Sequence, residues 1–215
     1  MPAVKTGRER RRSQRGTTPR HTPDLATKLV DEAGRILSAE GVGALTLRRL
    51  ATATGTSTMA VYTLFGDKQG LLAAMYREGF ARLGAALRKA AARHEDPLTA
   101  LAELGVMYRR TALASPHLYD LMFGRPVAGF EPDEDTKAVA EASYTPLVDA
   151  VQRCLDTGGL VGGQAERIAF YLWAVSHGMV SLELAGQLPG TAKEREAAYN
   201  DALVLSSIPF LPPPG

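Results

Sequence analysis

The residues best suited to do chemistry in this 215-residue chain lie between Thr46 and Lys68, and the chemistry their types would suit is contact with a polyanion and not bond making. Two short apolar-periodic stretches are separated by Ala53-Thr54-Gly55-Thr56, a length that suits the tight turn of a helix-turn-helix. Thr46 caps the first stretch, which buries Leu47, Leu50 and Ala51 and turns Arg48 and Arg49 outward. Thr56 and Ser57 offer the cap of the second, which runs to Phe65. On a wheel of about 100° per residue, Val61, Phe65, Leu64 and Ser57 share the inner side of the second stretch. Met59 and Thr63 lie opposite, flanked by Tyr62 and Ala60. An outward helix face without a single charge is unusual where water is the only neighbour. A DNA major groove accepts such a face: Thr bonds to either kind of base edge, while Met, Ala and the Thr methyl touch thymine methyls. Arg48, near its helix N-terminus, is placed for a base edge or the phosphate beside it. Thr46, Tyr62 and Lys68 offer a capped helix start, a phenolic hydroxyl and an ammonium to phosphates. Spacing alone leaves two readings open, because a generic pair of helices with Thr and Ser caps has the same pattern.

The run LTLRRLATATGTSTMAVYTLFGDKQGLL resembles the DNA-binding domain of TetR-family transcriptional regulators, and the likeness covers residues 24–72. The resemblance implies a dimer that binds double-stranded operator DNA and usually represses, with a small molecule in the C-terminal domain changing the separation of the two reading heads. It implies phosphate roles for Thr46, Tyr62 and Lys68, and base or groove contacts for Arg48, Thr58, Met59, Ala60 and Thr63. Ser57, which opens the reading helix, is counted with them. Leu64 departs from the family pattern, which more often has a polar or aromatic residue there; the wheel makes it core. FYLWAVSHGMVSLELAG, residues 170–186, resembles the C-terminal domain of a TetR subgroup with a Trp-x-x-x-His-Gly signature, carried here by Trp173, His177 and Gly178.

These residues need a scaffold, and the periodicity predicts an all-α one of about nine helices. A leading helix starts at Thr22-Pro23-Asp24 and places Leu25, Leu29, Ala33, Ile36 and Leu37 on one face before Gly41 ends it. After the reading helix, helices are expected from Lys68 to about His94, Pro97 to Ser115, Pro116 to Phe123, Asp133 to about Leu155, Gln164 to Gly186 and Ala192 to about Ser206. Gly124–Pro132 and Asp156–Gly163 read as loops, and Pro209–Gly215 as an irregular end. The organisation is a basic arm (1–21), a three-helix DNA-binding domain (22–67), a helical ligand-binding and dimerisation domain (68–208) and a Pro-rich tail (209–215).

The helix from Gln164 is apolar nearly all round, so it must be buried twice, against its own core and against a twin subunit. Ile168, Leu172, Val175 and Leu182 form one stripe, and Ala174, Gly178, Ser181 and Ala185 a row of small residues that permits close helix approach. With the last helix this would build a two-fold four-helix interface. A fully buried central helix in a monomer is the other reading. An effector pocket would lie among the body helices, with Met107, Tyr108, His117, Tyr119, Met122, Phe123, Tyr144, Trp173 and His177 as wall candidates for an unidentified, largely apolar small molecule. Each could instead be plain core, and His177 beside Gly178 reads first as a satisfied core or interface histidine.

Composition bounds what else the chain could be. A hydrophobic fraction of 45% is normal for a globular chain, and no apolar run is long enough to span a membrane. The start has no apolar segment behind its charges, so a secretory signal is not expected. The lone Cys154 excludes an internal disulfide, and the expected home is a reducing cytoplasm. The net charge of +2 hides an asymmetry: residues 1–23 carry seven bases against Glu9, residues 24–68 balance, and the remainder is mildly acidic. The arm would follow the DNA backbone or enter a minor groove, or else be a solvated tail. No nucleophile elbow, P-loop, dinucleotide fingerprint or His-Glu-x-x-His is present, so an enzyme is not expected. Four scattered histidines and an acidic cluster at Glu131–Asp135 without EF-hand spacing suggest neither metal nor cofactor. The alternative function is a helical small-molecule binding protein that does not read DNA.

Overall fold

The computed structural model describes residues 22–124, 127 and 130–213, with side chains from Leu25 onward. The expected basic arm and the last two residues of the tail lie outside the described residues. Among the described residues there is no strand. The elements are α1 (Thr22–Glu40), α2 (Leu47–Thr54), α3 (Thr58–Phe65), α4 (Lys68–Ala91), α5 (Pro97–Ala114), α6 (Pro116–Phe123), α7 (Glu134–Asp156), α8 (Ala165–Leu184), α9 (Ala192–Ser207) and a 3-10 turn at Ile208–Phe210.

Local chemistry sets these boundaries. Asp67, Asp96, Asp133 and Thr191 stand just before α4, α5, α7 and α9, and each side chain accepts a backbone N–H that the helix itself leaves unpaired. At α9 the cap is reciprocal: the Thr191 N–H donates back to the Glu194 carboxylate at 2.6 Å. Two long helices stop early, α4 at Ala91 instead of His94 and α8 at Leu184 instead of Gly186. The Pro-rich end is also less irregular than expected. Its first residues complete the 3-10 turn, and the Val161 N–H donates to the Phe210 carbonyl at 2.7 Å, tying that turn to the α7–α8 loop.

Three apolar clusters hold the helices together. The first gathers Leu29, Ala33 and Ile36 of α1, Leu47 and Leu50 of α2, Val61 of α3, Leu71, Leu72 and Met75 of α4, and Leu118 and Leu121 of α6. The second joins Leu83 and Leu87 of α4 to Leu104 and Tyr108 of α5, Tyr119 of α6 and Tyr199 of α9. The third packs α7 on α8 through Val151, Cys154, Ile168 and Leu172. Cys154 is fully buried, and burial pushes its thiol up to about 11, so it behaves as a small hydrophobe. With 24 residues, roughly 36 Å at the α-helical rise, α4 contributes its first turns to one core and its remainder to another. A displacement of this helix in the body is therefore felt in the head.

Candidate nucleic-acid interface and effector cavity

The α2–turn–α3 unit is fixed at every corner by a short-range hydrogen bond. Thr46 Oγ1 accepts from the Arg49 N–H at 3.1 Å and opens α2. Gly55 closes α2 with φ of 65°, a left-handed conformation that favours glycine, and this reverses the chain into α3. Ser57 Oγ accepts from the Ala60 N–H at 3.1 Å and opens α3. Ser57 is the exposed cap of the helix, which corrects its inward placement on the wheel. Val61 is fully buried, and Leu64 and Phe65 pack against the head core beside it.

What α3 leaves outside is apolar or hydroxylic. Met59 is 74% exposed and Tyr62 52%, large values for side chains of this kind, and Thr63 is exposed beside them. Thr58 and Ala60 are half-buried at the flanks. The Thr63 hydroxyl donates to the Met59 carbonyl at 2.9 Å, which leaves its oxygen able to accept a further hydrogen bond. The two arginines of α2 are not equivalent. Arg49 forms an ion pair with Glu40 of α1, whereas Arg48 is exposed and has no carboxylate partner among the described residues. Lys68 is half-buried, and its ammonium donates to the Val42 carbonyl, stitching the start of α4 to the α1–α2 connection. That structural bond was not foreseen for it.

In the body, a cavity of about 690 Å3 lies among α4, α5, the end of α6, α7, α8 and α9. Four of the expected wall residues line it: Tyr108, Phe123, Tyr144 and Trp173. The other five do not. Met107 packs into the second core, and Met122 fills the space beside Gly79. His117 sits in a notch at Gly34, where an added Cβ would come 2.0 Å from its ring, so it belongs to the α1–α6 contact. Tyr119 and His177 stand one layer behind the wall. Nδ1 of His177 is 3.0 Å from the Tyr108 hydroxyl and 2.9 Å from that of Tyr119, which also lies 3.0 Å from Ser181 Oγ. Burial holds the His177 imidazole below its ordinary value and raises both tyrosines. His177 is therefore a half-buried histidine, biased by its surroundings toward the neutral form, between ring neighbours Tyr119, Phe123 and Trp173. The aliphatic share of the wall, including Leu83, Leu87, Leu104, Leu147 and Leu203, was not singled out from the sequence. Leucines at helical spacing look the same whether they face a neighbour or a void.

The expected subunit face divides in two. Ala174, Leu182 and Ala185 are exposed, and Val175, Gly178 and Ser181 half-buried. Ile168 and Leu172 are corrections: at 1% and 8% exposure they lie in the third core of their own chain, on the side of α8 that meets α7. The exposed apolar surface includes Phe170 and Tyr171 of α8 and, beyond expectation, Val204 and Leu205 of α9 and Ile208 after it. A buried ion pair was also missed. Arg109 donates twice to Glu183, at 2.7 and 2.8 Å, and Arg195 donates to the same carboxylate at 3.3 Å, which joins α5, α8 and α9. No local pattern could have shown it, because the partners are far apart in sequence. Among the described residues no helix is long and apolar enough to cross a membrane, and no cluster of side chains could hold a metal ion.

Comparison with known proteins agrees with this division. The family model described as bacterial regulatory proteins of the TetR family matches residues 29–75, and the model described as the tetracyclin repressor-like C-terminal domain matches residues 101–205. An HTH-type transcriptional regulator of Mycobacterium tuberculosis is 25% identical over 194 residues, covering 76% of this chain and 82% of the relative. Among solved structures, a Rhodococcus protein of unknown function has a TM-score of 0.75 at 30% identity, covering 90% of this chain and 99% of the other. The TetR family transcriptional regulator PfmR from Thermus thermophilus has a TM-score of 0.68 at 22% identity, covering 83% and 97%. Matched in its head and in its body by two models of one group, the chain belongs to the TetR family of DNA-binding transcriptional regulators.

Proposed function

We propose that this regulator is a homodimeric repressor of the bacterial cytoplasm, released from its operator when a small, largely apolar molecule fills the body cavity. The observation that carries the DNA-reading half is the exposed, uncharged face of α3 beside the exposed Arg48, which has no carboxylate partner among the described residues. Solvent gives no reason to leave Met59 and Tyr62 in the open, whereas a major groove supplies thymine methyls, base edges and phosphates. In this reading Met59, Ala60, Thr58 and Thr63 meet the groove floor, and Arg48 a base edge. Thr46, Ser57, Tyr62 and Lys68 hold the phosphates on either side. The DNA-binding domain is residues 22–67, and residues 68–208 form the effector and dimerisation domain.

Effector release is supported by two helices that belong to both parts. Phe123 at the end of α6 lines the cavity, while Leu118 and Leu121 of α6 pack in the head core and His117 sits against α1. Likewise, α4 carries Leu83 and Leu87 on the cavity wall and Leu71 and Leu72 in the head. A molecule that favours one arrangement of these helices shifts the spacing of the two reading heads by no more than its differential affinity for the two states. The reading heads of a dimer must stand about 34–36 Å apart to enter successive major grooves.

Selection of bound duplexes from a random pool, at stated salt, tests the proposal. A palindromic consensus supports dimeric reading; failure to retain any duplex at low ionic strength refutes it. Release of the selected operator by candidate effectors, followed by gel shift, tests the second half separately.

A further inference from the structure

Most polar groups of the cavity wall are already occupied at home; the exception is the buried Tyr144 hydroxyl, which has no hydrogen-bond partner among the described residues. The hydroxyls of Ser143, Ser176, Ser206 and Ser207 donate to carbonyls of their own helices at 2.7–2.9 Å, and the Tyr108 hydroxyl is held by His177. Only one charged residue, the exposed Glu141, is in the lining, and no Lys, Arg or His is there among the described residues. A carboxylate or phosphate brought into this space loses its water and gains no cation, and the single neutral Tyr144 hydroxyl does not replace one. A cation would find Glu141 alone, at a position where water screens the pair and leaves it worth little. The serine oxygens keep acceptor lone pairs after donating, so a ligand hydroxyl or amide N–H can still be satisfied.

From this wall we infer that the cavity selects an uncharged, hydrocarbon-rich molecule whose polar group both accepts from the Tyr144 hydroxyl and donates to a serine oxygen, such as a long-chain alcohol, and rejects the carboxylate of the same length, which finds no cation there. The inference rests on the reading of this cavity as the effector site and adds the charge of the effector to it. Trp173 is the only tryptophan of the chain and lines the cavity, so its emission reports filling directly.

The experiment titrates the intact protein with decan-1-ol, decanoate and decyltrimethylammonium, each below its aggregation concentration, while following Trp173 emission. The alcohol should act saturably at a midpoint at least about tenfold below those of both ions, a gap of about 1.4 kcal/mol. Because water screens position 141, Glu141→Gln should leave the alcohol midpoint unchanged and move that of decanoate by much less than the tenfold gap. Equal or tighter binding of decanoate by the native protein overturns the inference, and so does tighter binding of the ammonium. A gel shift with the same probes separates this inference from the reading beneath it. If the alcohol fills the cavity without releasing DNA, the charge rule stands and the effector reading fails. Silence of Trp173 toward all three probes removes both.

Discussion

Arg48 and Arg49 are neighbours of one type, yet the fold gives them different work. The guanidinium of Arg49 is held by Glu40, so its loss should be felt mainly as a loosened α1–α2 contact. Arg48 is exposed, has no carboxylate partner among the described residues, and in the proposed reading meets DNA. Arg48→Ala should relax base preference at one operator position, at about 1–3 kcal/mol, as measured by competition between the selected operator and single-base variants. Lys68→Ala should weaken all duplexes alike and also lower the urea midpoint, because its ammonium additionally holds the Val42 carbonyl. Uniform loss across sequences for Arg48→Ala would refute its assignment. The Arg109–Glu183 pair makes a second residue-scale prediction. Both side chains are nearly buried, and Arg109 holds the Glu183 carboxyl below the ordinary carboxylate value. Arg109→Met leaves Glu183 with the longer Arg195 contact alone and should cost about 3 kcal/mol in urea unfolding. Replacing both, Arg109→Met with Glu183→Leu, should restore most of it. A depressed carboxylate value stabilises the fold above the unfolded-state value and ceases to do so as pH falls through the folded one. The double variant should therefore lose less stability than the native protein on acidification below the ordinary carboxylate range.

At the scale of elements, the connection from α3 to α4 decides how the reading helix is aimed. Gly70 lies in the first turn of α4, and a Cβ there would come 1.9 Å from the Phe65 carbonyl oxygen, a backbone atom that cannot swing aside. Gly70→Ala should therefore move α3 relative to α4 or loosen it, at a cost above the roughly 1–3 kcal/mol typical of overpacking. Operator binding should be lost while Trp173 emission, reporting on the body, is preserved; unchanged operator affinity would show that the α3–α4 contact is not needed for reading. This tight approach was not visible in the chain, where Gly70 reads as one more small residue after Asp67. The helices themselves were legible, because caps and breakers such as Thr46, Gly55 and Asp67 act over three or four residues, within reach of a one-dimensional pattern. The outward face of α3 was legible for the same reason. The cavity was only half legible. Tyr108 and Trp173 were expected at its wall and are there, but Tyr119 and His177 stand one layer back. Which of these rings faces the cavity and which stands behind it is fixed by contacts among α5, α6 and α8 that no single segment encodes.

For the whole molecule, the question is what covers the apolar side formed by α8, α9 and the turn after it. Phe170, Val204, Leu205 and Ile208 are each more than half exposed, too many large side chains on one face for a solvated surface. The proposed dimer accounts for them, since a two-fold pairing buries the same patch on both copies. The residues chosen to test it must be exposed in the single chain. Ile168 and Leu172, expected at the interface from their stripe, fail that condition: a substitution there would test folding instead of association. Leu205 meets it at 65% exposure and lies outside the cavity lining, unlike Val204, so its replacement leaves the effector wall untouched. Leu205→Glu should leave the helical circular dichroism and the Trp173 response in place, because an exposed side chain contributes little to the fold of one copy. Facing its twin across the two-fold, the added carboxylate should shift sedimentation toward the monomer. Affinity for the palindromic operator should then fall by about 100-fold or more, since the second half-site is no longer reached through a tethered partner, while affinity for an isolated half-site should stay as it was. A Leu205→Glu protein that still sediments as a dimer and binds the palindrome at native affinity would place the subunit contact on another face, and the exposed side of α9 would then need a different partner.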